Sequence, residues 1–502
     1  MSDYQMYING EFCEPESGES FDTFDPSTGE KWATVARGGK EDAARAIDVA
    51  YDTHKSGVWS SKSGEERAAV LDQIAAKITG AMGKLAELES KDSGGTIRKA
   101  QLADIMGGAS TFTHFAKLAR ETSDVEPLEP TAMPGPSENY VHREPFGVCS
   151  GIIPWNFPFI MACWKIAPAI AAGNTLVLKP ASITSATAVE LAKLIDETDL
   201  PKGVFNLVTG PGPAVGEELA SNSKVAKVAF TGSTEIGRRI MQLASATVKK
   251  CTLELGGKSA AIVTDAADLD LAAAGVLWGT FFHSGQVCES GTRALVHESI
   301  YDEFVSMLAD RASKLNIGPA PLMTTDIGPV VSKQQLDTIT RYVQIGKDEG
   351  AKLLIGGEQV HPDGGENGWY FEPTIFVDVD NSMKIAQEEI FGPVLSVIKV
   401  SDDDNAVEVA NDSIYGLAGA VWSSDIERAK GIAERMECGT VWINDHHLLS
   451  PKYPFGGYKQ SGIGRELGVY GYNEFRQIKH IHVDQGGTKQ SHMHFSALSP
   501  NL

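Results

Sequence analysis

Cys288 lies where the sequence could place a nucleophilic thiol. It stands in the segment Gly285–Gly291, between the apolar helical stretch Leu269–Phe282 and a predicted strand. In such a joint a substrate can reach a thiol, and a thiolate attacks carbonyl carbon once nearby N–H groups or a cation lower its pKa. The alternative is an inert buried cysteine, the interpretation that we keep for Cys13 and Cys438.

Two polar residues in apolar surroundings could assist such a nucleophile. Glu254 stands between two leucines, just before a Gly-Gly bend. Burial would raise its carboxyl pKa, as a general base requires, and a salt-bridged or solvent-facing glutamate is the alternative. Asn156 lies in an irregular segment between Pro154 and Pro158, where its side-chain N–H could stabilise an oxyanion. Its alternative is an asparagine that caps a turn.

A glycine-bearing turn could bind a phosphate. The segment Phe230–Gly237 follows a predicted strand and begins a helix, so its backbone N–H groups could approach an anion. Its spacing is not G-x-G-x-x-G, and a helix start capped by Ser233 or Thr234 is the alternative. Lys179 follows the predicted strand Thr175–Leu178 and adds a cation at the sheet edge where α/β proteins bind ligands. Its alternative is a surface lysine.

The elements that must position these side chains alternate between strand and helix. An Asn9-Gly10 pair predicts a hairpin near the start, and residues 40–119 have apolar side chains at helical spacing. Strands then recur between helices in two sets, with a boundary near residues 256–266. This alternation predicts an α/β fold with parallel, doubly wound sheets. The predicted strands are 147–153, 175–178, 204–208, 225–230, 259–263, 293–296, 352–355, 394–398 and 440–443.

The composition argues against several classes of protein. The 502 residues include 44 Lys and Arg against 66 Asp and Glu, a formal net charge of −22. That charge argues against binding to nucleic acid or to an anionic membrane surface. The uncharged stretch 146–164 contains two prolines and an asparagine, so we interpret it as buried interior. With no signal-peptide pattern and no metal-ligand spacing among six cysteines, we expect free thiols and a cytoplasmic location.

Taken together, the motifs resemble those of the aldehyde dehydrogenase superfamily, whose members use NAD or NADP. The matching segments follow the family's order along nearly the whole chain, and one such segment alone would be weak evidence. The segments are Ile153–Pro158, Lys179–Ser182, Phe230–Gly237, Leu253–Gly257, Gly285–Cys288, Glu388–Val394 and Pro454–Glu466.

The resemblance implies a Rossmann-like, doubly wound cofactor domain, a second α/β catalytic domain and a small β oligomerisation element. It also implies a homo-oligomer, either a dimer or a homotetramer. The expected boundaries are 1–125 and 146–256 for the dinucleotide-binding domain, 257–457 for the catalytic domain, 126–145 and 473–490 for the oligomerisation strands, and 491–502 for a polar tail.

The resemblance also implies a reaction on a small-molecule aldehyde. Cys288 would attack the aldehyde to give a thiohemiacetal, and hydride transfer to the nicotinamide would leave a thioester. The Asn156 side chain and the backbone N–H of Cys288 would hold the oxyanion. Glu254 would activate the water that releases the carboxylic acid.

The implied cofactor is NAD or NADP. Lys179 matches the lysine at the adenosine ribose, and Glu389 and Phe391 match the residues that position the nicotinamide ribose. Ser182 stands where many NAD-specific members have a glutamate, whose charge would repel a 2′-phosphate. We therefore expect NADP to be accepted. The other expected cofactor residues are Ile153, Trp155, Gly212, Phe230, Gly232, Ser233, Leu255 and Gly256.

The implied substrate tunnel is apolar, with Glu289 and His447 at its margins. Such a tunnel suits an aliphatic or aromatic aldehyde better than one that carries a carboxylate. A trimethylammonium aldehyde would require an aromatic cage, which Leu449 weakens, although Glu289 could attract a cation. The expected tunnel residues are Phe157, Trp164, Val287, Leu449 and Phe455.

Other functions fit parts of the pattern. A CoA-acylating semialdehyde dehydrogenase shares the nucleophile but characteristically lacks the base at Glu254. A cysteine hydrolase would need a histidine base, and nothing in the sequence orients His283 for that role. A non-enzymatic protein of this fold is expected where the nucleophile or the base has been lost. The two His-x-His pairs near the C-terminus lack further ligands, so we expect no metal.

Overall fold

The computed structural model describes residues 1–132, 135–489 and 492–498. The chain up to residue 256 begins with two hairpins, continues through a helical region and then alternates strand with helix. Its strands are β1 (Met6–Ile8), β2 (Glu11–Cys13), β3 (Ser20–Asp25), β4 (Glu30–Ala36), β5 (Val125–Pro127), β6 (Ser137–Pro145), β7 (Val148–Ile152), β8 (Thr175–Lys179), β9 (Phe205–Leu207), β10 (Val225–Thr231) and β11 (Lys250–Glu254). Its helices are α1 (Lys40–Ser56), α2 (Gly64–Gly80), α3 (Met82–Ser93), α4 (Ile97–Lys99), α5 (Met106–Glu121), α6 (Pro158–Ala171), α7 (Ala186–Asp196), α8 (Glu217–Ser221) and α9 (Thr234–Ser245).

The rest of the chain forms a second alternating set and a C-terminal strand. Its strands are β12 (Ala260–Val263), β13 (Arg293–His297), β14 (Lys352–Ile355), β15 (Gln359–Val360), β16 (Tyr370–Phe371), β17 (Thr374–Val377), β18 (Val394–Val400), β19 (Tyr415–Gly416), β20 (Ala418–Trp422), β21 (Thr440–Ile443), β22 (Tyr458–Lys459), β23 (Gly462–Ile463) and β24 (Arg476–Asp484). Its helices are α10 (Leu269–Phe281), α11 (Tyr301–Ala312), α12 (Lys333–Asp348), α13 (Lys384–Gln387), α14 (Asp403–Asn411), α15 (Ile426–Ala433), α16 (Gly468–Glu474) and α17 (Met493–Ala497).

The first sheet has the order β2-β1-β9-β8-β7-β10-β11-β23. Its five central strands, β9 to β11 in this order, are parallel. Strands β8 and β9 follow β7 on one side of it, and the chain then crosses over so that β10 pairs with the other side of β7. Open α/β sheets bind ligands at the carboxyl ends of the strands beside such a reversal. Strands β7, β8, β10 and β11 end at Ile152, Lys179, Thr231 and Glu254, so the predicted motifs follow these ends.

The second sheet has the order β14-β17-β18-β13-β12-β20-β21 and is parallel except at β14. The loops that enter β13 and β18 carry Cys288 and Glu389, so this sheet contributes to the site from the amino ends of its strands. The predicted α/β fold with a Rossmann-like sheet is confirmed. The predicted domain boundaries stay a prediction.

Two further features are the turn between β1 and β2 and a small three-stranded sheet. Asn9 and Gly10 have φ values of 56° and 77°, which the two-residue turn between β1 and β2 requires. Strand β6 pairs antiparallel with β24 over the nine residues of each strand, and β5 pairs with its other edge. This sheet lies in the segments predicted to mediate oligomerisation, of which residues 133, 134 and 490 lie outside the described residues.

The uncharged stretch 146–164 lies in the interior. Its strand β7 is completely buried, and in helix α6, of which it forms the first half, twelve residues are buried. In the part of the chain that the structure describes, no helix is long and apolar enough to cross a membrane. The predicted polar tail contains the short helix α17, which the sequence analysis did not predict, while residues 491 and 499–502 lie outside the described residues.

Candidate active site

A cavity of about 1070 Å³ lies where the carboxyl edge of the first sheet meets the amino edge of the second. Asn156 and Glu254 reach it from the first sheet, and Cys288 and Glu389 from the second. A hydrogen bond joins the two edges. Gly257, which follows β11, donates its N–H to Glu389, which precedes β18 (3.1 Å). The fold therefore brings the predicted nucleophile, base and oxyanion donor into one cavity.

Asn156 is held by the irregular loop that joins β7 to α6. Its amide Nδ2 donates to the carbonyl oxygen of Gln286 (2.8 Å), two residues before Cys288. The side chain of Asn156 is therefore anchored to the nucleophile's loop, with a second N–H left for a ligand. Lys99 also holds this loop. Its Nζ donates to the carbonyl oxygen of Asn156 (3.0 Å) and lies 4.0 Å from the centre of the Phe157 ring.

Glu254 is the last residue of β11 and is 3% exposed. Neither of its carboxylate oxygens has a hydrogen-bond partner among the described residues. Burial and the nearby Glu466 carboxylate raise the pKa of Glu254 well above its ordinary value. Glu466 itself forms an ion pair with Lys165, which also donates to Thr231 (2.7 Å). Glu254 is thus a desolvated carboxyl group that faces the cavity, and the salt-bridged or solvent-facing alternative is excluded.

Cys288 differs from the expectation of a thiol with a lowered pKa. Burial and the carboxylates of Glu289, Glu389 and Glu254 raise its pKa well above the ordinary value. Its Sγ donates to Glu289 Oε2 (3.1 Å), so the polar group that contacts the sulfur is a carboxylate and not a cation. The sequence pattern identified the thiol. It did not predict the raised pKa, because the three carboxylates come from separate segments that only the fold brings together. This thiol needs a proton acceptor to become a nucleophile.

The glycine-bearing turn lies on one side of the cavity. Ser233 caps α9 by accepting the N–H of Ile236 (3.4 Å), and Gly232 and Ser233 both line the cavity. Ser233 therefore caps the helix, as the alternative interpretation expects, and it also faces the cavity in which a ligand could bind. A Cβ atom on Gly232 would lie 2.6 Å from the Phe230 ring, so this tight turn requires glycine unless the ring moves.

Five more expected cofactor residues meet on this side. Burial raises the pKa of Glu389 to about 7, opposed by the hydrogen bond from Gly257. A Cβ atom on Gly256 would come within 2.3 Å of Glu389, so this glycine allows the carboxylate to approach the backbone. Trp155 and Phe391 meet edge to face, with ring centres 5.1 Å apart. All five residues line the cavity: Trp155, Leu255, Gly256, Glu389 and Phe391.

The remaining expected cofactor residues do not line this cavity. Lys179 is only 4% exposed, which excludes a surface lysine, and its Nζ donates to the carbonyl oxygen of Pro180 (2.8 Å). Burial lowers its pKa to about 8. Ser182 begins a short 3₁₀ turn and donates to the carbonyl oxygen of Gly210 (2.9 Å). Ile153, Gly212 and Phe230 also lie at or beyond the carboxyl ends of strands in the first sheet.

The expected tunnel residues line the cavity with one exception. Trp164 and Phe455 meet edge to face at 5.6 Å, and Phe157 and Leu449 complete that wall. Val287 is 3% exposed and does not line the cavity, although it directly precedes Cys288. Sequence analysis missed three further aromatic lining residues, Trp278, Phe281 and Phe282. The rings of Trp278 and Phe282 are 4.4 Å apart.

Two histidines also line the cavity. His283 lines the cavity near Phe157 and Lys99, but neither ring nitrogen has a hydrogen-bond partner in the described part of the chain. Nothing here orients it as a base. His447 lines the cavity and contacts Glu289 (Nδ1 to Oε1, 3.2 Å). No group of three potential metal ligands occurs among residues 1–132, 135–489 and 492–498.

The chain belongs to the aldehyde dehydrogenase family, whose model matches residues 12–481. Among its relatives, the betaine aldehyde dehydrogenase of Bacillus subtilis (strain 168) is 46% identical over 478 residues, which are 95% of this chain and 96% of that protein. Crystal structures of betaine aldehyde dehydrogenase from Staphylococcus aureus in complex with NAD+ are 41% identical, with a TM-score of 0.94, and cover 97% of this chain and 96% of theirs. The predictions of family, oxidoreductase class and fold are confirmed.

Proposed function

We propose that this chain oxidises an aldehyde to a carboxylic acid with a bound nicotinamide cofactor, through a covalent intermediate on Cys288. The observation that carries the proposal is that Cys288 and Glu254, from different sheets, line one cavity with Asn156. Formation of NADH, followed at 340 nm with an aldehyde and NAD+, tests it. No increase in absorbance with any aldehyde would contradict it. Added CoA should leave the turnover unchanged, which separates this reaction from CoA acylation.

The proposed reaction has two halves. In the first, Cys288 sulfur bonds to the carbonyl carbon, and the free N–H of Asn156 and the backbone N–H of Cys288 stabilise the oxyanion. The nicotinamide, when bound, supplies the acceptor for the hydride. Once the C–H bond has broken, the oxyanion re-forms the carbonyl group as a thioester. In the second half, Glu254 takes a proton from water, which attacks the thioester and releases the acid.

The cofactor site that we propose fits the residues present. The turn at Gly232 and Ser233 precedes the twelve-residue helix α9, whose N-terminus attracts phosphate. On the nicotinamide side we propose Glu389, with Phe391 and Trp155 as its neighbours. The NAD+ in the Staphylococcus aureus relatives supports NAD as a cofactor.

Acceptance of NADP is the first prediction. Ser182 is neutral and lies next to the carboxyl end of β8, so no carboxylate at this position repels a 2′-phosphate. We expect the wild type to use NADP, and Ser182→Glu to lower kcat/KM for NADP at least about tenfold with little change for NAD. Ser182→Ala is the matched control, because it leaves the charge unchanged. A strong preference of the wild type for NAD would contradict this prediction.

For the substrate we propose a short aldehyde that carries a trimethylammonium group, with an uncharged aliphatic or aromatic aldehyde as the second candidate. The relatives named above act on betaine aldehyde by their names. Phe157, Trp164 and Phe455 line the cavity, and aromatic faces attract a desolvated quaternary ammonium. Buried carboxylates around the thiol add negative potential. Leu449 interrupts the aromatic wall, which is the feature that favours the uncharged substrate.

The second prediction compares two aldehydes of equal shape. Betaine aldehyde and 3,3-dimethylbutanal differ in one atom, a charged nitrogen in place of a quaternary carbon. We expect kcat/KM to be at least about tenfold higher for betaine aldehyde, which equals about 1.4 kcal/mol of cation stabilisation. Equal values, or a higher value for the uncharged aldehyde, would favour the second candidate.

We further propose that the sheet of β5, β6 and β24 joins subunits of a homo-oligomer and that the chain works in the cytoplasm. Strand β24 pairs only with β6 among the described residues, and Ile478 on it is 65% exposed. An exposed strand edge with apolar side chains is a common site of association. Sedimentation of the chain reports its mass directly, and a monomer at assay concentration would contradict the proposal.

A further inference from the structure

A buried lysine contacts the loop that carries Asn156. The Nζ atom of Lys99 donates to the carbonyl oxygen of Asn156 (3.0 Å). The same nitrogen lies 2.9 Å from Asp104 Oδ2 and 4.0 Å from Glu89 Oε1, and all three of these side chains are 0% exposed. Burying such polar groups seldom stabilises a fold more than apolar side chains of the same size would. Stability alone therefore does not explain the cluster.

The backbone has an unusual shape where it brings these groups together. Lys99 and Asp104 are five residues apart, a spacing that an α-helix does not place on one face. Asp104 lies in a π-helical turn, Ala100–Ile105, and the hydrogen bonds of such a turn join residues five apart. Gly95 leaves room for the lysine, since a Cβ atom there would lie 2.9 Å from Lys99 Cδ. Short π-helical turns are rare and frequently lie at functional sites.

The two carboxyl groups attach the lysine to the helices around it. Glu89 lies in α3 and accepts a hydrogen bond from Thr187 Oγ1 in α7 (2.6 Å). Apart from the contact with Lys99, neither oxygen of Asp104 has a hydrogen-bond partner among the described residues, and the same is true of Glu89 Oε1. The position of the lysine nitrogen is therefore set by α3, α7 and the π-helical turn, and not by the loop that it contacts.

Asn156 is held at both of its polar ends. Its side-chain Nδ2 donates to the carbonyl oxygen of Gln286 (2.8 Å), which leaves the second N–H for a ligand. Its backbone carbonyl accepts from Lys99, and this contact limits the rotation of the backbone from which the side chain extends. Asn156 is only 4% exposed, so bulk water does not replace the lysine as a donor.

We propose that Lys99 is a positioning residue for the oxyanion. It holds the backbone of Asn156 so that the free side-chain N–H points at the developing negative charge, and Glu89 and Asp104 hold Lys99 in place for this task. A donor that is displaced by about 1 Å loses much of its effect on the rate, which is why a rigid, buried support matters here. Lys99 itself makes and breaks no bond in either half of the reaction.

Two reagents that react with the same sulfur separate this role from a general effect on the thiol. Acylation of Cys288 by p-nitrophenyl acetate passes through an oxyanion, whereas alkylation by iodoacetamide is a displacement at saturated carbon and forms none. Release of p-nitrophenolate in the first turnover, corrected with Cys288→Ala, gives the acylation rate. Mass spectrometry of the peptide that contains Cys288 gives the alkylation rate. A change in the pKa of the thiol or in the folded fraction alters both rates and leaves their ratio nearly constant.

In Lys99→Met we expect the ratio of acylation to alkylation to fall at least about tenfold, because Asn156 loses its backbone anchor. Asn156→Ala, which removes the donor itself, should lower the ratio about 10²-fold. Adding Lys99→Met to Asn156→Ala should lower it no further, since the lysine acts only through that side chain. Lys117→Met is the matched control, because this lysine of α5 is 64% exposed and lies outside the cavity, and its ratio should equal that of the wild type.

A second pair of variants covers the case in which Lys99→Met does not fold. Combining Lys99→Met with Asp104→Asn removes the lysine and one of its carboxyl partners together, so less unpaired charge stays buried. This double variant lacks the same donor, and we expect the same fall in the ratio. Lys99→Arg keeps a donor at this position and should restore part of the ratio.

An unchanged ratio in Lys99→Met or in the double variant would overturn the proposal, and so would a further fall when Lys99→Met is added to Asn156→Ala. A wild-type ratio no higher than that of Asn156→Ala would overturn it as well, because there would be no oxyanion site to position. The inference rests on the proposed function for its place in turnover, but the test uses neither aldehyde nor cofactor. If no aldehyde yields NADH while the ratio falls as expected, the proposed function fails and this inference stands.

Discussion

Replacing Cys288 with alanine is expected to abolish aldehyde oxidation. The sulfur is the atom that bonds to the substrate, and no other side chain in the cavity can form the thioester from which the acid is released. We expect the steady-state rate to fall at least about 10⁴-fold, with no rapid burst of NADH. Absorbance at 340 nm measures both in one experiment.

The matched control is Cys13→Ala, since Cys13 lies at the partly exposed end of β2, outside the cavity. Its turnover should equal that of the wild type. Unchanged turnover in Cys288→Ala would assign the chemistry to another group and contradict the proposed mechanism.

Replacing Glu254 with glutamine is expected to separate the two halves of the reaction. Thioester formation does not need this carboxylate, so the burst of NADH should persist at about one equivalent per active subunit. Hydrolysis does need it, so the steady-state rate should fall about 10²–10⁴-fold. Rapid mixing resolves the burst, and Glu303→Gln on the exposed face of α11 serves as the control.

The pH dependence of the wild type follows from the same residue. Burial and Glu466 raise the pKa of Glu254 well above its ordinary value. The base form is therefore lost as pH falls through that raised pKa, and the rate of hydrolysis should rise with pH. A rate of hydrolysis that is independent of pH in the wild type, or loss of the burst in Glu254→Gln, would argue against this role.

Much of the fold could be predicted because its signals are local. The Asn9-Gly10 pair specifies a two-residue turn, and each predicted parallel strand is a short apolar run whose position the structure reproduces within a few residues. The order of strands in the sheets is not local, because it depends on which apolar faces pack together. The burial of Lys179 is not a local property either. From the sequence alone it could be a surface lysine, and only the packed fold reveals that it is buried.

The electrostatics of the site could not be predicted for the same reason. Glu289 and His447 are 158 residues apart, and their contact arises only when the loop after β21 packs on the loop before β13. The sequence identified Cys288 as a candidate but implied a thiol with a lowered pKa. In the structure the carboxylates of Glu289, Glu389 and Glu254 raise that pKa, and their combined effect becomes visible only in three dimensions.

The mass of the acyl-enzyme shows whether Cys288 forms the thioester intermediate. Glu254→Gln is mixed with NAD+ and an aldehyde that the wild type oxidises, quenched in acid after the burst, digested and analysed by mass spectrometry. We expect the peptide containing Cys288 to gain the mass of the acyl group, in an amount equal to the NADH formed. An NADH burst without that adduct, or an adduct on any of the other five cysteines, would contradict it.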